Sequence, residues 1–386
     1  MSGDGGAHAG VARRPIRLGM VGGGEGAFIG AVHRIAARLD GHYAFVAGAL
    51  AASPEKARRS AAALGLAPER AYENFAAMAR AEAARPDGIE VVAIVTPNHL
   101  HAPVATAFLE AGIHVICDKP LATNLADARQ LQELATARRR LFAVTYNYTG
   151  YPLVRHARAL IADGTLGEIR VVQVEYPQDW LTGPLEETGQ KQAVWRTDPA
   201  QAGRGGCLGD IGTHAYHLAG FVTGMQPAEL AADLATFVAG RRLDDNVNIM
   251  LRYASGARGL LWASQVAPGN ENNLRLRVYG SKGGIEWRQE QPNALHLSPF
   301  GRPTEIVTRG TPAVMSAGQR VTRVPAGHPE GYLEAFATIY AEIAAAIRGA
   351  PDEAVTFPDI ADGIAGMAFM EAAIRSAENG AAWVRL

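Results

Sequence analysis

The stretch Ile16-Arg-Leu-Gly-Met-Val-Gly-Gly-Gly-Glu-Gly-Ala-Phe-Ile-Gly30 decides the fold of this 386-residue chain. Its first six residues are a short apolar run typical of a buried strand, and a helical stretch extends from Phe28 to Leu39. The turn between them, Gly22-x-Gly24-x-x-Ala27, has the glycines that let backbone approach a pyrophosphate at a helix N-terminus. A purely structural turn is the alternative. The residues expected to hold the pyrophosphate are Gly22, Gly24, Ala27, Phe28 and Ile29.

Strands and helices alternate through the first part of the chain. Strand-like runs at Tyr43–Leu50, Glu90–Val95, Ile113–Cys117 and Phe142–Thr145 are separated by helical stretches. This alternation predicts an α/β fold whose doubly wound parallel sheet forms a Rossmann domain over residues 16–147. Residues 1–15 are small and glycine-rich and are expected to form a flexible tail.

The pattern changes after residue 147. Several strand-like runs joined by turns predict an α+β domain over 148–386 with an open, mostly antiparallel sheet. We expect this domain to bind substrate and to mediate association into a homodimer or homotetramer. A long polar loop, Leu181–Gly206, precedes a short helix predicted at Ile211–Thr223.

Composition excludes several classes of function. The 37 basic and 38 acidic residues nearly balance, which gives no electrostatic reason to expect nucleic acid as a partner. No apolar run approaches about 18 residues, so no membrane span is expected. Only two cysteines occur, which favours a reducing, cytoplasmic location. No histidines, carboxylates or thiols stand at metal-ligand spacing, so no metal site is expected.

The second strand ends without the acidic residue that usually binds the adenine ribose. The stretch that closes it reads Ala49-Leu-Ala-Ala-Ser-Pro54, and Ser53, Arg58 and Arg59 are candidate contacts. Arginine here favours the 2′-phosphate of NADP, whereas an arginine merely solvated on the helix leaves NAD equally acceptable. The sequence therefore predicts NAD or NADP as cofactor without choosing between them.

Two further motifs follow the third and fourth strands, at the sheet edge where cofactor and substrate meet. They are Thr96-Pro-Asn-His-Leu-His101 and Cys117-Asp-Lys-Pro120. A lysine at a strand end can hydrogen-bond a substrate hydroxyl and stabilise the negative charge that develops when a proton leaves. The residues of these motifs expected to bind the cofactor are Thr96, Pro97, Asn98, His101, Asp118 and Lys119.

Together with Gly209-Asp-Ile-Gly-Thr-His214, and with His33 after the glycine turn, these motifs resemble those of the Gfo/Idh/MocA family of oxidoreductases. The resemblance implies a catalytic set of Lys119, Asp210 and His214, all three also contacting substrate. Asp210 can cap the helix predicted to begin at Ile211, which places His214 on the same side. A histidine is suited to accept a hydroxyl proton near neutral pH. Without the resemblance, Asp210 is equally a plain cap and His214 a packed histidine.

Two features depart from the family pattern. The glycine turn is longer than usual, as if Glu25-Gly-Ala27 were inserted, and His217 stands where the family's helix often has an acidic residue. Planar polar groups and aromatic rings near the predicted cleft are candidates for gripping a polyol. The further residues expected to bind substrate are Tyr148, Asp179, Trp180, Trp195 and Arg196.

The leading hypothesis is an NAD(P)-dependent dehydrogenase. It would oxidise or reduce a secondary hydroxyl or ketone of a sugar, a sugar derivative or a cyclitol. Two alternatives stay open. One is an NAD-dependent glycosidase that works by transient oxidation and elimination, and the other is a non-catalytic regulator that binds a dinucleotide.

Overall fold

A computed structural model describes residues 14–350 and 357–386. Most of the predicted 1–15 tail therefore lies outside the described residues. The described chain forms two sheets, each covered by helices, and the two sheets share a continuous set of buried side chains.

The first sheet is parallel and five-stranded. Its strands are β1 (Ile16–Gly22), β2 (Tyr43–Ala49), β3 (Val91–Val95), β4 (His114–Cys117) and β5 (Phe142–Val144). They lie in the order β2-β1-β3-β4-β5, so the strand order reverses between β1 and β3. The central strand β3 is buried over its whole length, as expected for a sheet covered on both faces. The predicted doubly wound parallel sheet is confirmed.

Five helices flank this sheet, and side-chain caps fix where several of them begin. They are α1 (Phe28–Leu39), α2 (Pro54–Ala63), α3 (Phe75–Ala84), α4 (His101–Glu110) and α5 (Leu125–Arg138). The Ser53 hydroxyl accepts from the backbone N–H of Lys56 and so caps α2, as a serine directly before a proline favours. Asn74 and Asn124 cap α3 and α5 in the same way.

The second sheet has nine strands. They are β6 (Ile169–Pro177), β7 (Pro227–Ala235), β8 (Asn246–Tyr253), β9 (Arg258–Ser264), β10 (Arg275–Gly280), β11 (Gly283–Arg288), β12 (Ala294–Pro299), β13 (Glu305–Thr308) and β14 (Val384–Arg385). Their order is β13-β12-β11-β10-β6-β9-β8-β7-β14. Only the β6–β9 pair is parallel among these described strands. The mostly antiparallel sheet is confirmed, and β12 and β13 were not predicted.

Helices cover one face of this sheet and join it to the first. They are α6 (Pro152–Ala162), α7 (Lys191–Arg196), α8 (Pro199–Ala202), α9 (Thr213–Thr223), α10 (Ser316–Gln319), α11 (Tyr332–Ile347) and α12 (Ile360–Glu378). The short helices α7 and α8 lie within the stretch predicted as a polar loop. A single π-helical turn, Leu208–Gly212, leads directly into α9. The predicted helix therefore begins earlier than Ile211.

Helix α11 packs against the first sheet although it follows the second in sequence. Phe336, Ile339 and Ile343 are buried with the apolar side chains of β1 and α1. The Arg155 guanidinium of α6 pairs with the Glu342 carboxylate of α11 at 2.9 Å, and both side chains are 3% exposed. The Rossmann domain thus includes helix α11, although a domain boundary at residue 147 would assign this helix to the second domain.

None of the helices in the described ranges is long and apolar enough to cross a bilayer.

Candidate active site

The glycine turn brings β1 and α1 unusually close together. Gly22 has φ +81°, a conformation that favours glycine, and its missing side chain leaves room for Val95 and Thr96. A Cβ on Gly30 would overlap the Cα of Gly23, so the first turn of α1 can lie against the glycine turn only with glycine at both positions. The close helix–strand packing that a dinucleotide fold requires therefore depends on Gly30.

The three extra residues of the turn extend toward β2 and α2. The Gly24 N–H donates to the Leu50 carbonyl and the Glu25 N–H donates to the Ser60 hydroxyl, both at 3.1 Å. Helix α1 then begins at Phe28, after an extended Ala27 that offers no side-chain cap. The first N–H groups of α1, including those of Phe28 and Ile29, are consequently available to an anion.

Thr96 lies where the strand order reverses. Its hydroxyl is buried and has no hydrogen-bond partner among the described residues. A buried polar group without a partner costs about 1–3 kcal/mol, which a bound ligand would recover. This hydroxyl, the glycine cradle and the open helix N-terminus together fit the pyrophosphate end of a dinucleotide.

Two residues of the Thr96–His101 motif have structural contacts instead. The ring nitrogens of His101 lie 2.8 Å from the Pro120 carbonyl and 3.0 Å from the Thr96 carbonyl, and the side chain is fully buried. The His101 ring therefore links two strand ends, and its contact with the cofactor stays a prediction. The Asn98 amide donates to the Ala202 carbonyl at 2.9 Å, and Pro97 is half-buried beside it.

Ion pairs occupy the arginines beyond β2. Arg58 pairs with Glu73 at 2.6 Å, and Arg59 pairs with both Glu55 and Glu25. The Ser53 hydroxyl is engaged in capping α2. The arginine that the sequence suggested for a 2′-phosphate is thus already matched with a carboxylate.

Asp118 is held at the end of β4 by the side chains of His33 and Thr145. His33 Nε2 lies 3.0 Å from its carboxylate, and the Thr145 hydroxyl donates to the same oxygen at 2.6 Å. Burial alone would raise the pKa of Asp118, but His33 and these hydrogen bonds lower it to about 2. The other His33 nitrogen meets the Tyr340 hydroxyl of α11 at 2.8 Å. Asp118 therefore orders the strand end that presents Lys119.

Lys119 and Asp210 form the central ion pair of the cleft. Lys119 Nζ donates to the Asp210 carboxylate at 2.9 Å and also to the Asp210 backbone carbonyl. The other carboxylate oxygen accepts from Arg196 Nε at 3.2 Å and from the Gln265 amide at 2.8 Å. Burial opposes ionisation, yet the charges of Arg196 and Lys119 hold the pKa of Asp210 well below its ordinary range.

This arrangement corrects the predicted role of Asp210 as a helix cap. Asp210 lies inside the π-helical turn Leu208–Gly212, so its side chain does not cap a helix beginning at Ile211. The cap comes from a residue that the sequence did not suggest. The two Asp244 carboxylate oxygens accept from the N–H groups of Gly206 and Leu208, each at 2.7 Å. Gln265, at the end of β9, was missed as well.

His214 lies in an aromatic pocket beside this ion pair. Its ring centroid is 4.9 Å from that of Tyr148 and 5.7 Å from that of Tyr146, both edge to face. Nδ1 is enclosed, and no described residue hydrogen-bonds it. Burial, reinforced by the charge of Lys119, lowers the pKa of His214 well below 6.5. The imidazole is therefore neutral near pH 7 and able to take up a proton.

His217 has a structural environment one turn further along α9. Its ring stacks on Tyr146 with centroids 4.1 Å apart, and Nε2 lies 3.2 Å from the Asp362 carboxylate at the start of α12. The carboxylate absent from α9 at this position is thus contributed by another helix.

The predicted substrate residues divide into two groups around the cleft. Tyr148 donates to or accepts from Tyr176, and Trp180 Nε1 donates to Gln178 at 3.0 Å. Arg196 stacks over Trp195 at 4.2 Å and reaches Asp210, which places both at the ion pair. Asp179 lies between Gln178 and Trp180 in sequence, and its carboxylate accepts from the Gly269 N–H at 3.3 Å.

Within residues 14–350 and 357–386, no group of three or more histidines, cysteines, aspartates and glutamates is arranged to hold a metal ion.

Comparison with known families agrees with this geometry. Residues 16–146 match the model described as "Oxidoreductase family, NAD-binding Rossmann fold", and residues 154–286 match the GFO/IDH/MocA C-terminal domain. The chain belongs to the Gfo/Idh/MocA family and is an oxidoreductase with an NAD-binding domain. The resemblance inferred from the four motifs is confirmed.

Similar proteins extend over most of the chain. A crystal structure of an oxidoreductase from Sinorhizobium meliloti is 53% identical, with a TM-score of 0.89 over 97% of this chain and 100% of that one. An inositol dehydrogenase homolog from Azotobacter vinelandii, complexed with NADH and myo-inositol, is 38% identical with a TM-score of 0.91, covering 97% and 98%. Levoglucosan dehydrogenase from Pseudarthrobacter phenanthrenivorans is 31% identical over 73% of this chain and 76% of its own.

Proposed function

We propose that this oxidoreductase interconverts a secondary hydroxyl and a ketone on a polyol ring, using Lys119, Asp210 and His214. The observation that carries the proposal is the Lys119–Asp210 pair beside a buried, neutral histidine whose Nδ1 meets no hydrogen-bond partner in the described part of the chain. These groups lie at the carboxyl edge of the parallel sheet, next to a cradle that fits a pyrophosphate. A base and a cationic donor at the nicotinamide end of such a site are what alcohol oxidation requires.

Each residue has a separate task in this reaction. NAD, when bound, supplies the acceptor for the hydride that leaves the carbinol carbon. The His214 imidazole takes the hydroxyl proton. Its low pKa keeps the imidazole neutral, and so able to act as the base, at neutral pH. Lys119 donates a hydrogen bond to the substrate oxygen and stabilises its developing negative charge. Asp210 fixes the direction of the Lys119 ammonium group through its carboxylate and its backbone carbonyl.

NAD rather than NADP is the proposed cofactor. The arginines beyond β2 are balanced by Glu25, Glu55 and Glu73, and Glu25 adds a carboxylate from the lengthened turn. A 2′-phosphate brought to this surface would meet those carboxylates. Solved relatives named as inositol and levoglucosan dehydrogenases were crystallised with NAD⁺ or NADH, which supports the same choice.

Cyclitols and anhydrosugars are the proposed substrate class. Two solved relatives were crystallised in complex with myo-inositol and with levoglucosan. Both are rings bearing secondary hydroxyls and no charge. The hydroxyl, amide and indole groups of Tyr148, Gln178 and Trp180, which are linked to one another through Tyr176 and Asn272, would suit such a ring.

Absorbance at the NADH band tests the proposal directly. The protein is incubated with NAD or NADP and a panel of inositols, anhydrosugars and aldoses, and NAD-dependent absorbance with at least one ring polyol is the expected result. Release of an aglycone from glycosides without net NADH would instead indicate the glycosidase alternative. Binding of NADH without turnover on the whole panel would indicate a regulator.

A further inference from the structure

Five polar side chains form a continuous hydrogen-bonded chain from the surface of the cleft to the ring beside His214. Trp180 Nε1 contacts Gln178 at 3.0 Å, and Gln178 contacts Asn272 at 2.7 Å. The same Asn272 atom lies 2.7 Å from the Tyr176 hydroxyl, which meets the Tyr148 hydroxyl. We call this set of five residues the Trp180–Tyr148 relay.

The direction of every bond in the relay follows from the first one. An indole nitrogen only donates, so the Gln178 atom facing Trp180 must be the amide oxygen. The Gln178 nitrogen must then face Asn272, and it requires an oxygen there. Because that Asn272 oxygen only accepts, Tyr176 must give it its single proton.

Tyr148 is left with one possible role toward a ligand. Since the Tyr176 proton is committed to Asn272, the Tyr148 hydroxyl must donate its own proton to Tyr176. Burial raises the pKa of both tyrosines, so both remain protonated phenols. The Tyr148 oxygen can therefore offer a ligand only lone pairs. The centroid of the Tyr148 ring lies 4.9 Å from that of His214.

We propose that the Trp180–Tyr148 relay makes Tyr148 an acceptor-only contact, so that it selects a substrate hydroxyl and rejects a group that cannot donate. This inference rests on the proposed function, because it assigns one polar contact of the same substrate site. Its chemical content is separate, since it concerns the polarity of a contact and not the hydride transfer.

Two variants separate the direction of the hydrogen bonds in the relay from changes of size and charge. In Gln178→Glu, the carboxylate accepts from Trp180 and cannot donate to Asn272. Asn272 then turns its NH₂ toward Glu and Tyr176, Tyr176 donates to Tyr148, and Tyr148 regains a free proton. In Asn272→Asp, the new carboxylate still accepts from Gln178 and Tyr176, so the polarity is kept. Both variants are nearly isosteric and add one negative charge.

Calorimetry on protein loaded with NADH measures the consequence without requiring turnover. The probes are myo-inositol and its monofluoro-deoxy analogues, because fluorine cannot donate a hydrogen bond. In the wild type and Asn272→Asp, one analogue should bind at least about tenfold more weakly than myo-inositol, since a buried acceptor is left unpaired. In Gln178→Glu, that penalty should fall to about twofold or less.

Equal penalties in the two variants, or tolerance of fluorine at every position by the wild type, would overturn the proposal. A second measurement applies even if no polyol binds, in which case the proposed substrate class fails instead. With ¹³Cζ-labelled tyrosine, the Tyr148 resonance, assigned with Tyr148→Phe, should move more in Gln178→Glu than in Asn272→Asp. The reverse order would contradict the relay.

Discussion

His214 is buried, and no residue that the structure describes hydrogen-bonds its Nδ1, which determines how the enzyme should respond to pH. Oxidation requires the neutral imidazole, and burial with the Lys119 charge lowers its pKa well below 6.5. Protonation of His214 therefore reduces activity only at a pH below 6.5. We expect kcat/KM for polyol oxidation to stay near its maximum as the pH falls from 8 to 6.5 and to decline at lower pH.

The measurement is the pH profile of NADH formation. His99→Gln, which changes an exposed histidine of the neighbouring motif, is the control and should give the same profile. A profile already half-maximal at pH 7 would show that the histidine environment is not the one described.

Glu25 occupies the Nε and Nη2 atoms of Arg59, while Glu55 binds Nη1. Glu25→Gln removes the carboxylate on Nε and Nη2 and leaves the Glu55 pair in place. The released edge of the guanidinium can then pair with a 2′-phosphate. The affinity for NADPH relative to NADH should rise by about fivefold, as measured by quenching of protein fluorescence.

Glu69→Gln provides the matched control, because the exposed Glu69 follows α2 and is not a partner in the ion pairs of Arg58 or Arg59. It should change the ratio of the two affinities by less than about twofold. Equal shifts in both variants would mean that only the net charge of this surface matters.

At the scale of elements, the contact between α1 and the glycine turn is the feature most sensitive to a single methyl group. Gly30→Ala places a Cβ on the Cα of Gly23 and must move the helix N-terminus away from the phosphate position. We expect NADH affinity to fall by about tenfold or more. Fluorescence titration measures this, and thermal unfolding shows how far the fold itself is affected.

Gly26→Ala is the counterpart within the same turn. Gly26 has φ +77° but nothing within 4 Å of its Cβ position. Backbone strain should therefore lower the stability of the variant by about 1 kcal/mol, and most of its NADH affinity should be kept. A larger loss of affinity in Gly26→Ala than in Gly30→Ala would refute the importance of the close approach.

Elements governed by local pattern were predictable from the sequence. β1, the glycine turn and α1 follow from apolar runs and glycines, and the start of α2 follows from Ser53 and Pro54. Lys119 was found because the end of a parallel strand is a place where ligands bind.

Elements governed by distant partners were not predictable. Asp210 was expected to cap a helix, but Lys119, Arg196 and Gln265 bind it from three other parts of the chain. Asp244, 34 positions further along, supplies the cap. His101 is similar, because only the fold reveals that its ring lies between two carbonyl groups.

The whole molecule leaves one face of the nine-stranded sheet open, with apolar side chains on it. Met250 and Leu260 are paired across β8 and β9 and are 49% and 50% exposed. We propose that this face associates with a second copy of the chain as a dimer or tetramer. Leu260→Arg should therefore yield monomers in sedimentation experiments.

Glu133→Arg, on the exposed side of α5, introduces arginine away from this face and should leave the assembly intact. A wild type that sediments as a monomer at micromolar concentration would contradict the assignment of the face.

The central claim is that Lys119 and His214 perform the chemistry while the glycine turn holds the cofactor. It is tested most directly by measuring, for Lys119→Ala and His214→Ala, both the turnover number for polyol oxidation and the dissociation constant of NADH. Turnover is expected to fall by about 10²–10⁴-fold in each variant while NADH affinity changes little. Full activity in both variants would contradict it.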